Sequence, residues 1–69
     1  MRKNLMFARK EKQLTQAELA KTLGVTQRHY NRLEAGTSNG AIPVWEKLKQ
    51  ITGKPIDYLL QQADETERR

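Results

Sequence analysis

The sequence contains no cysteine, a single histidine and only two prolines among its 69 residues. Without cysteine, neither a disulfide nor a thiolate metal site can stabilise the fold, and one histidine without clustered ligands does not make a structural zinc site. A chain of this length is close to the lower limit for a core that is stable without such cross-links. Helix packing, alone or with a partner subunit, must therefore stabilise it.

Other absences exclude whole classes of protein. No stretch is long and apolar enough to span a membrane or to act as a secretory signal, and cysteine-free composition fits the cytosol. We therefore expect a soluble, cytoplasmic protein. No nucleophile, base and orienting group occur together, so we expect neither an enzyme nor a cofactor, metal or small-molecule site. Alternation of apolar and polar residues is also missing, so no β-strand is predicted.

What the chain does have is positive charge, with 13 lysines and arginines against eight acidic residues and a net charge of +5. The charge is unevenly distributed. Residues 1–12 carry five basic residues and one acidic residue, whereas residues 56–69 carry four acidic and two basic residues. A basic end favours a polyanionic partner, and the alternative is an ordinary solvated surface.

The chain is organised around residues 14–36, LTQAELAKTLGVTQRHYNRLEAG. Thr15 predicts a helix start, because its hydroxyl can accept from a first-turn amide while Glu18 reaches back to complete a capping box. Apolar residues then recur at helical spacing as far as Leu23, and Gly24 is typical of a left-handed helix end. The pattern predicts a short helix that ends at Leu23.

A second helix follows almost at once. Thr26 is a second N-cap, with Val25 and Tyr30 spaced to pack against each other across it, and this helix should end near Ala35 and Gly36. Because so few residues separate the two helices, they cannot lie antiparallel and must cross at a steep angle. The stretch therefore predicts a helix-turn-helix.

The flanking segments predict three more helices and one loop. The predictions are a first helix over 2–12 with Asn4 as its candidate cap, a loop over 37–42, a fourth helix from Pro43 to Gly53, and a short fifth helix over 56–62. The expected fold is all-α, with five helices in one domain over residues 1–62. The polar residues 63–69 are expected to form a tail or the start of a linker.

The second motif helix presents two different faces when its residues are placed at helical spacing. Tyr30 and Leu33 fall on one side, which predicts a buried face. The opposite side is polar and consists of Gln27, Arg28, Asn31 and Arg32. Guanidinium pairs with guanine and carboxamide with adenine in the major groove, so we predict that this face reads bases. The alternative is an ordinary solvated helix face.

Residues outside that face are candidates for supporting roles. Arg9 and Glu34 are expected to form an ion pair that fixes the first helix against the motif; the alternative is two exposed charges of little consequence. Gln16 is a candidate phosphate contact through its side chain and the free amides at its helix start. Trp45 is interpreted as a core residue rather than a stacking platform for bases.

The segments LTQAELA, GVTQ and LEAG closely resemble, at these separations, the helix-turn-helix domain of the Cro and phage-repressor type, also called the XRE family. The resemblance covers about residues 5–60 and implies a compact five-helix domain whose second motif helix enters the major groove. It implies that bases are read by Gln27, Arg28, Asn31 and Arg32. It also implies that phosphates are contacted by Thr15, Gln16, Thr26, Thr37, Ser38 and Asn39. The Arg9 and Glu34 pair matches one found in phage repressors of this type.

The partner implied by this resemblance is double-stranded DNA. The chain is expected to be a sequence-specific transcriptional regulator, in the first place a repressor, that binds a pseudo-palindromic operator as a homodimer. Two alternatives stay open. One is an antitoxin or a restriction-modification controller of the same fold, and the other is a protein-interaction module that does not bind DNA.

Two parts of the chain depart from the family pattern. Tyr30 stands where isoleucine or valine is usual, so the core beneath the second motif helix must accept a ring. Ile51 and Thr52 replace a pattern in which a small residue precedes leucine, which bears on the packing of the fourth helix.

Overall fold

The computed structural model describes residues 1–62, which form five helices and no strand. In chain order these are α1 Lys3–Glu11, α2 Gln16–Leu23, α3 Gln27–Ala35, α4 Ile42–Thr52 and α5 Ile56–Leu60. The predicted all-α fold with five helices is confirmed. The predicted tail, residues 63–69, lies outside the described residues, so the domain boundary at residue 62 stays a prediction.

The helix-turn-helix consists of α2 and α3, and the start and end of α2 are closed by near neighbours in sequence. Thr15 Oγ1 accepts from the Glu18 N–H at 3.0 Å, and the Thr15 N–H donates to Glu18 Oε1 at 2.8 Å, which confirms the capping box. Gly24 follows α2 with a φ of 77°. The next residue, Val25, donates its N–H to the Ala20 carbonyl at 3.0 Å, so the turn itself satisfies the end of α2.

All five helices contribute to one core. In it α2 packs on α3, α1 on α5, and α4 on both α2 and α5. Tyr30 and Leu33 of α3 are fully buried, which confirms the predicted inward face of this helix. Other core side chains include Leu5, Leu19, Trp45, Leu48 and Leu59. Burial of one large apolar side chain contributes roughly 1.5–3 kcal/mol, so the inner face of α3 holds the helix in place and leaves its other face outward.

The start of α1 differs from the prediction. The helix begins at Lys3 after Arg2, and no side chain caps it. The prediction that Asn4 caps this helix is wrong, because Asn4 Nδ2 instead donates to the Tyr58 carbonyl of α5 at 3.0 Å. Asn4 therefore ties α1 to α5 through a contact between residues far apart in sequence.

The turn after α1 contains a residue in an unfavourable backbone conformation. Gln13 has a φ of 60° and is the one non-glycine residue with positive φ among residues 1–62. Its N–H donates to the Lys10 carbonyl at 2.9 Å, which closes the end of α1. A side chain in this left-handed region costs about 1 kcal/mol, so glycine would suit the position better.

The last two helices differ slightly from their predicted bounds. α4 begins at Ile42, one residue before Pro43, and α5 ends at Leu60, two residues before the predicted end. Thr52 is buried in α4 without an unsatisfied hydroxyl. It donates to the Leu48 carbonyl at 2.7 Å and accepts from the Lys54 N–H at 3.2 Å. The helix therefore accommodates this departure from the family pattern by internal hydrogen bonding.

Candidate nucleic-acid interface

The outer face of α3 is a continuous polar surface. Gln27, Arg28, Asn31 and Arg32 are all exposed, whereas Tyr30 and Leu33 on the other side are fully buried. The structure therefore brings the four predicted base-reading residues together on one exposed helix face. Their contact with bases stays a prediction.

This face has suitable chemistry and dimensions for the major groove of DNA. Two guanidinium groups and two carboxamides can each form paired hydrogen bonds with purine edges. The helix has nine residues, which corresponds to a length of about 13 Å at 1.5 Å per residue. The groove is about 12 Å wide and accepts one α-helix, so the side chains of one face can reach several successive base pairs.

The N-caps of the two motif helices are placed as candidate phosphate contacts. The Thr15 and Thr26 side chains are hydrogen-bond acceptors, from the Glu18 N–H and the His29 N–H, each at 3.0 Å. Both threonines are exposed. A threonine hydroxyl that accepts one hydrogen bond still has its own hydrogen to donate, so capping a helix and binding a phosphate oxygen are compatible.

Gln16, the first residue of α2, is held by the second motif helix. Its Nε2 donates to Glu34 Oε1 of α3 at 3.0 Å, and the residue is half-buried. A carboxamide carries two N–H groups, and this bond uses one of them. The bond fixes the orientation of the carboxamide, so its second N–H can serve an oriented contact to phosphate.

Glu34 is the centre of a buried hydrogen-bond network rather than a member of a simple pair. Its Oε2 accepts from Arg9 Nε and from the Tyr30 hydroxyl, and its Oε1 accepts from Gln16. Arg9 Nη1 also donates to the Leu14 carbonyl at 2.8 Å. The side chains of Arg9 and Glu34 are 10% and 4% exposed, so loss of either one would leave a buried charge without its partner.

Two groups in this network have shifted pKa values. The hydrogen bond to Glu34 raises the pKa of the Arg9 guanidinium above its usual value. Burial raises the pKa of the Tyr30 hydroxyl, and the hydrogen bond to Glu34 raises it further. Tyr30 therefore stays protonated at neutral pH and donates to Glu34, which gives the ring at this unusual position a polar role.

The loop between α3 and α4 contains the remaining predicted phosphate contacts, Thr37, Ser38 and Asn39. Thr37 and Asn39 are exposed, and Ser38 is half-buried. The backbone of this loop is bound to the domain, since the Asn39 carbonyl accepts from Trp45 Nε1 at 2.7 Å and the Ser38 carbonyl accepts from Arg2 Nη1 at 2.7 Å. The structure thus presents the side chains of Thr37 and Asn39 to solvent.

Arg2 is a residue whose position the sequence pattern did not reveal. It belongs to the basic end of the chain, but it is only 3% exposed and its charge does not lie on the surface. Burial lowers the pKa of its guanidinium. A basic residue beside a chain end is normally solvated, and no local pattern indicates the distant carbonyl groups that bind this one.

Residues 1–62 contain no group of side chains suited to hold a metal ion. Within that range, every helix is too short or too polar to cross a membrane.

Comparison with known proteins connects this geometry to one family. A model of the helix-turn-helix family matches residues 5–59. The match includes all five helices apart from the first two residues of α1 and the last residue of α5. Neither the curated proteins nor the solved structures gave a match.

Proposed function

The chain belongs to the helix-turn-helix family of the Cro and phage-repressor (XRE) type, and from this premise we propose that it is a sequence-specific transcriptional regulator that reads operator DNA with α3. The family match makes it a DNA-binding helix-turn-helix protein in general terms. The single observation that supports the more specific proposal is the outer face of α3. Gln27, Arg28, Asn31 and Arg32 are exposed together on a helix whose opposite face is fully buried.

In the proposed complex, base and backbone contacts have separate roles. The four side chains of α3 bind base edges in the major groove and determine which sequence is preferred. Thr15, Gln16 and Thr26 bind phosphates beside the groove, and Thr37, Ser38 and Asn39 bind phosphates beyond the end of α3. These contacts carry no sequence information but fix the depth and angle at which α3 enters the groove.

We further propose that the chain acts in the cytoplasm as a repressor and binds as a homodimer. A dimer with two-fold symmetry would place two copies of α3 in successive major grooves, about 34–36 Å apart, on a pseudo-palindromic site. Such a protein blocks transcription by occupying the site. The net charge of +5 supports binding to a polyanion of this kind.

Selection of duplexes from a random pool tests this proposal most directly. We expect a recovered motif with two symmetric half-sites one helical turn apart. Titration of that motif with Arg28→Ala and Arg32→Ala should then show a loss of about 1–3 kcal/mol for each arginine that pairs with a guanine, with relaxed preference at that base pair. Lys47→Ala, at an exposed position of α4, removes the same charge and is the control. Unchanged affinity and preference in both arginine variants would refute the groove assignment.

The salt dependence of binding provides an independent check. Each phosphate neutralised should contribute about 0.9 to the slope of log affinity against log salt concentration. We therefore expect steep weakening between low and physiological salt. A duplex affinity that is undetectable at low salt would instead favour the alternative of a protein-interaction module.

A further inference from the structure

Arg2 makes more hydrogen bonds with the end of α3, the following loop and the end of α5 than a surface charge would make. Its Nη1 donates to the Leu33 carbonyl and to the Ser38 carbonyl, both at 2.7 Å. Its Nε donates to the Leu60 carbonyl at 3.3 Å, and its backbone N–H donates to the Glu34 carbonyl at 2.7 Å. One residue thus joins the last turn of α3, the following loop and the end of α5.

The charge of Arg2 has no carboxylate partner among the described residues. The ion pairs within residues 1–62 are Arg9 with Glu34 and Lys54 with Glu11. Arg2 is held by carbonyl oxygens instead, one of which belongs to the last turn of α3, where the helix dipole favours a positive charge. A buried cation of this kind adds positive potential beneath the loop that contains Thr37, Ser38 and Asn39.

Trp45 completes the support of the same loop. The guanidinium carbon of Arg2 lies 5.1 Å from the centre of the Trp45 ring, and Trp45 Nε1 donates to the Asn39 carbonyl. Gly40 approaches so closely that a Cβ there would lie 2.8 Å from Leu33 Cδ2 and 3.1 Å from Trp45 Nε1. The loop is therefore bound at two successive carbonyls, by Arg2 at Ser38 and by Trp45 at Asn39.

From these contacts we propose that Arg2 is a positioning residue for DNA binding, which orders the loop over residues 37–39 so that its side chains meet phosphate. This inference rests on the proposed DNA-binding function. Arg2 does not touch DNA itself, since it is buried. Ordering the loop in advance removes the entropic cost of ordering it in the complex, and the buried charge strengthens attraction for phosphate.

The substitution Arg2→Met distinguishes this role from a purely structural one. Methionine keeps an apolar stem of similar length but removes the donors and the charge, so the carbonyls that Arg2 bound lose a partner and some stability is lost. A residue that serves only the fold would lower stability but leave the DNA contacts of the folded variant unchanged. Lys3→Met, at the exposed neighbouring position, removes an equal charge and is the matched control.

We expect Arg2→Met to bind the duplex recovered from the random pool about tenfold more weakly than the wild type, as for the loss of one charge-assisted contact. Phosphate ethylation interference should disappear only at phosphates facing residues 37–39, with base preference unchanged. The Trp45 indole N–H should also exchange faster with solvent. Lys3→Met should retain both the interference pattern and slow exchange.

A second variant covers the case in which Arg2→Met does not fold. Trp45→Phe keeps a ring in the core but removes the donor to the Asn39 carbonyl, so it should lose interference at the same phosphates. Folded Arg2→Met or Trp45→Phe protein with wild-type interference would overturn the inference while the proposed function stood. A wild-type chain that binds no duplex would remove the proposed function and the inference together.

Discussion

The two ends of α3 are stabilised in different ways. At its start, the Thr26 hydroxyl accepts from the His29 N–H, so the cap lies within four consecutive residues. Near its end, carbonyls and side chains are bound by residues from distant parts of the chain, namely Arg2 at the Leu33 carbonyl and Arg9 at Glu34. The cap at the start can be understood from a short sequence window. At the other end Gly36 closes the helix locally with a φ of 85°, but the bonds from Arg2 and Arg9 exist only when the chain has folded.

This difference matters for function, because the two ends serve different contacts. The start of α3 carries Gln27 and Arg28 towards the proposed base contacts, and it depends on few other residues. The end of α3 leads into the loop with Thr37 and Asn39, whose position depends on α1, α4 and α5. We therefore expect changes at the start to have local effects and changes at the end to affect the whole domain.

The largest expected effect is the loss of stability when the buried network around Glu34, near the end of α3, is broken. Glu34→Gln keeps the shape of the side chain but leaves the Arg9 guanidinium buried without a counter-charge, which should lower the free energy of unfolding by about 3 kcal/mol. Urea denaturation measures this. Glu11→Gln is the control, because Glu11 pairs with Lys54 at 3.4 Å with 60% of its side chain exposed, and should change stability by less than about 0.5 kcal/mol. Equal effects in the two variants would contradict the difference between network and surface pair.

The next effect appears at high pH, where Tyr30 should link stability to its own protonation. The folded state raises the pKa of Tyr30, so its contribution is complete below the unfolded value of about 10 and is lost as pH rises above it. Above about pH 10 the unfolded state loses the proton of Tyr30 while the folded state keeps it. In that range the free energy of unfolding should fall with pH by about 1.4 kcal/mol per pH unit more steeply in the wild type than in Tyr30→Phe. Denaturation at several pH values measures the difference.

A control for this pH dependence is Tyr58→Phe, which removes a half-buried phenol that does not bind Glu34. This variant should keep the steep wild-type decline. If Tyr30→Phe declined as steeply as the wild type, the proton of Tyr30 would have no part in holding the network.

Changes at the start of α3, which is capped by a near neighbour, should lower stability less. Thr26→Ala removes the N-cap acceptor of the His29 N–H and should lower stability by about 1 kcal/mol, with faster hydrogen exchange confined to the first turn of α3. Thr22→Ala is matched to it, since Thr22 is an exposed threonine inside α2 whose hydroxyl only donates to the Glu18 carbonyl. That change should stay within about 0.5 kcal/mol. Exchange that increased throughout the domain in Thr26→Ala would show that this end is not local.

The smallest effect is a gain in stability at the end of α1, where Gln13 has an unfavourable backbone conformation. Gln13→Gly should raise the free energy of unfolding by about 0.5 kcal/mol, because relief of the left-handed conformation exceeds the added entropy of the unfolded glycine. Gly53→Ala is the reverse change, at a φ of 74° with open space around the position, and should lower stability by about 1 kcal/mol. Thermal denaturation of both variants provides the test, and a loss of stability in Gln13→Gly would contradict it.

Much of the fold follows from short-range patterns that the structure confirms. The capping box of Thr15 and Glu18, the glycine at position 24 and the buried pair Tyr30 and Leu33 all depend on neighbours within one or two helical turns. The prediction for Asn4 is wrong for the opposite reason, because its partner is the carbonyl of Tyr58 in α5. Polar side chains at a helix start carry a local signal for capping but none for a distant acceptor.

The candidate site also has features that short-range patterns predict and features that only packing between helices creates. Helical spacing alone separates Gln27, Arg28, Asn31 and Arg32 from the buried face, and the structure exposes all four. The resemblance to phage repressors supports the expected pair of Arg9 and Glu34, but neither that resemblance nor helical spacing indicates the hydrogen bonds that Tyr30 and Gln16 add. Those bonds depend on how α1, α2 and α3 meet, which the sequence pattern of any one helix does not specify.

The sequence by itself determined that this chain forms a helix-turn-helix with a polar outer face, because caps, turns and helical periodicity act between near neighbours. Only the tertiary structure decided that Arg2 is buried under the loop after α3, that Glu34 binds three side chains, and that Asn4 joins α1 to α5. The physical reason is that a hydrogen bond between distant residues forms only after packing brings them together, and burial then makes that bond necessary.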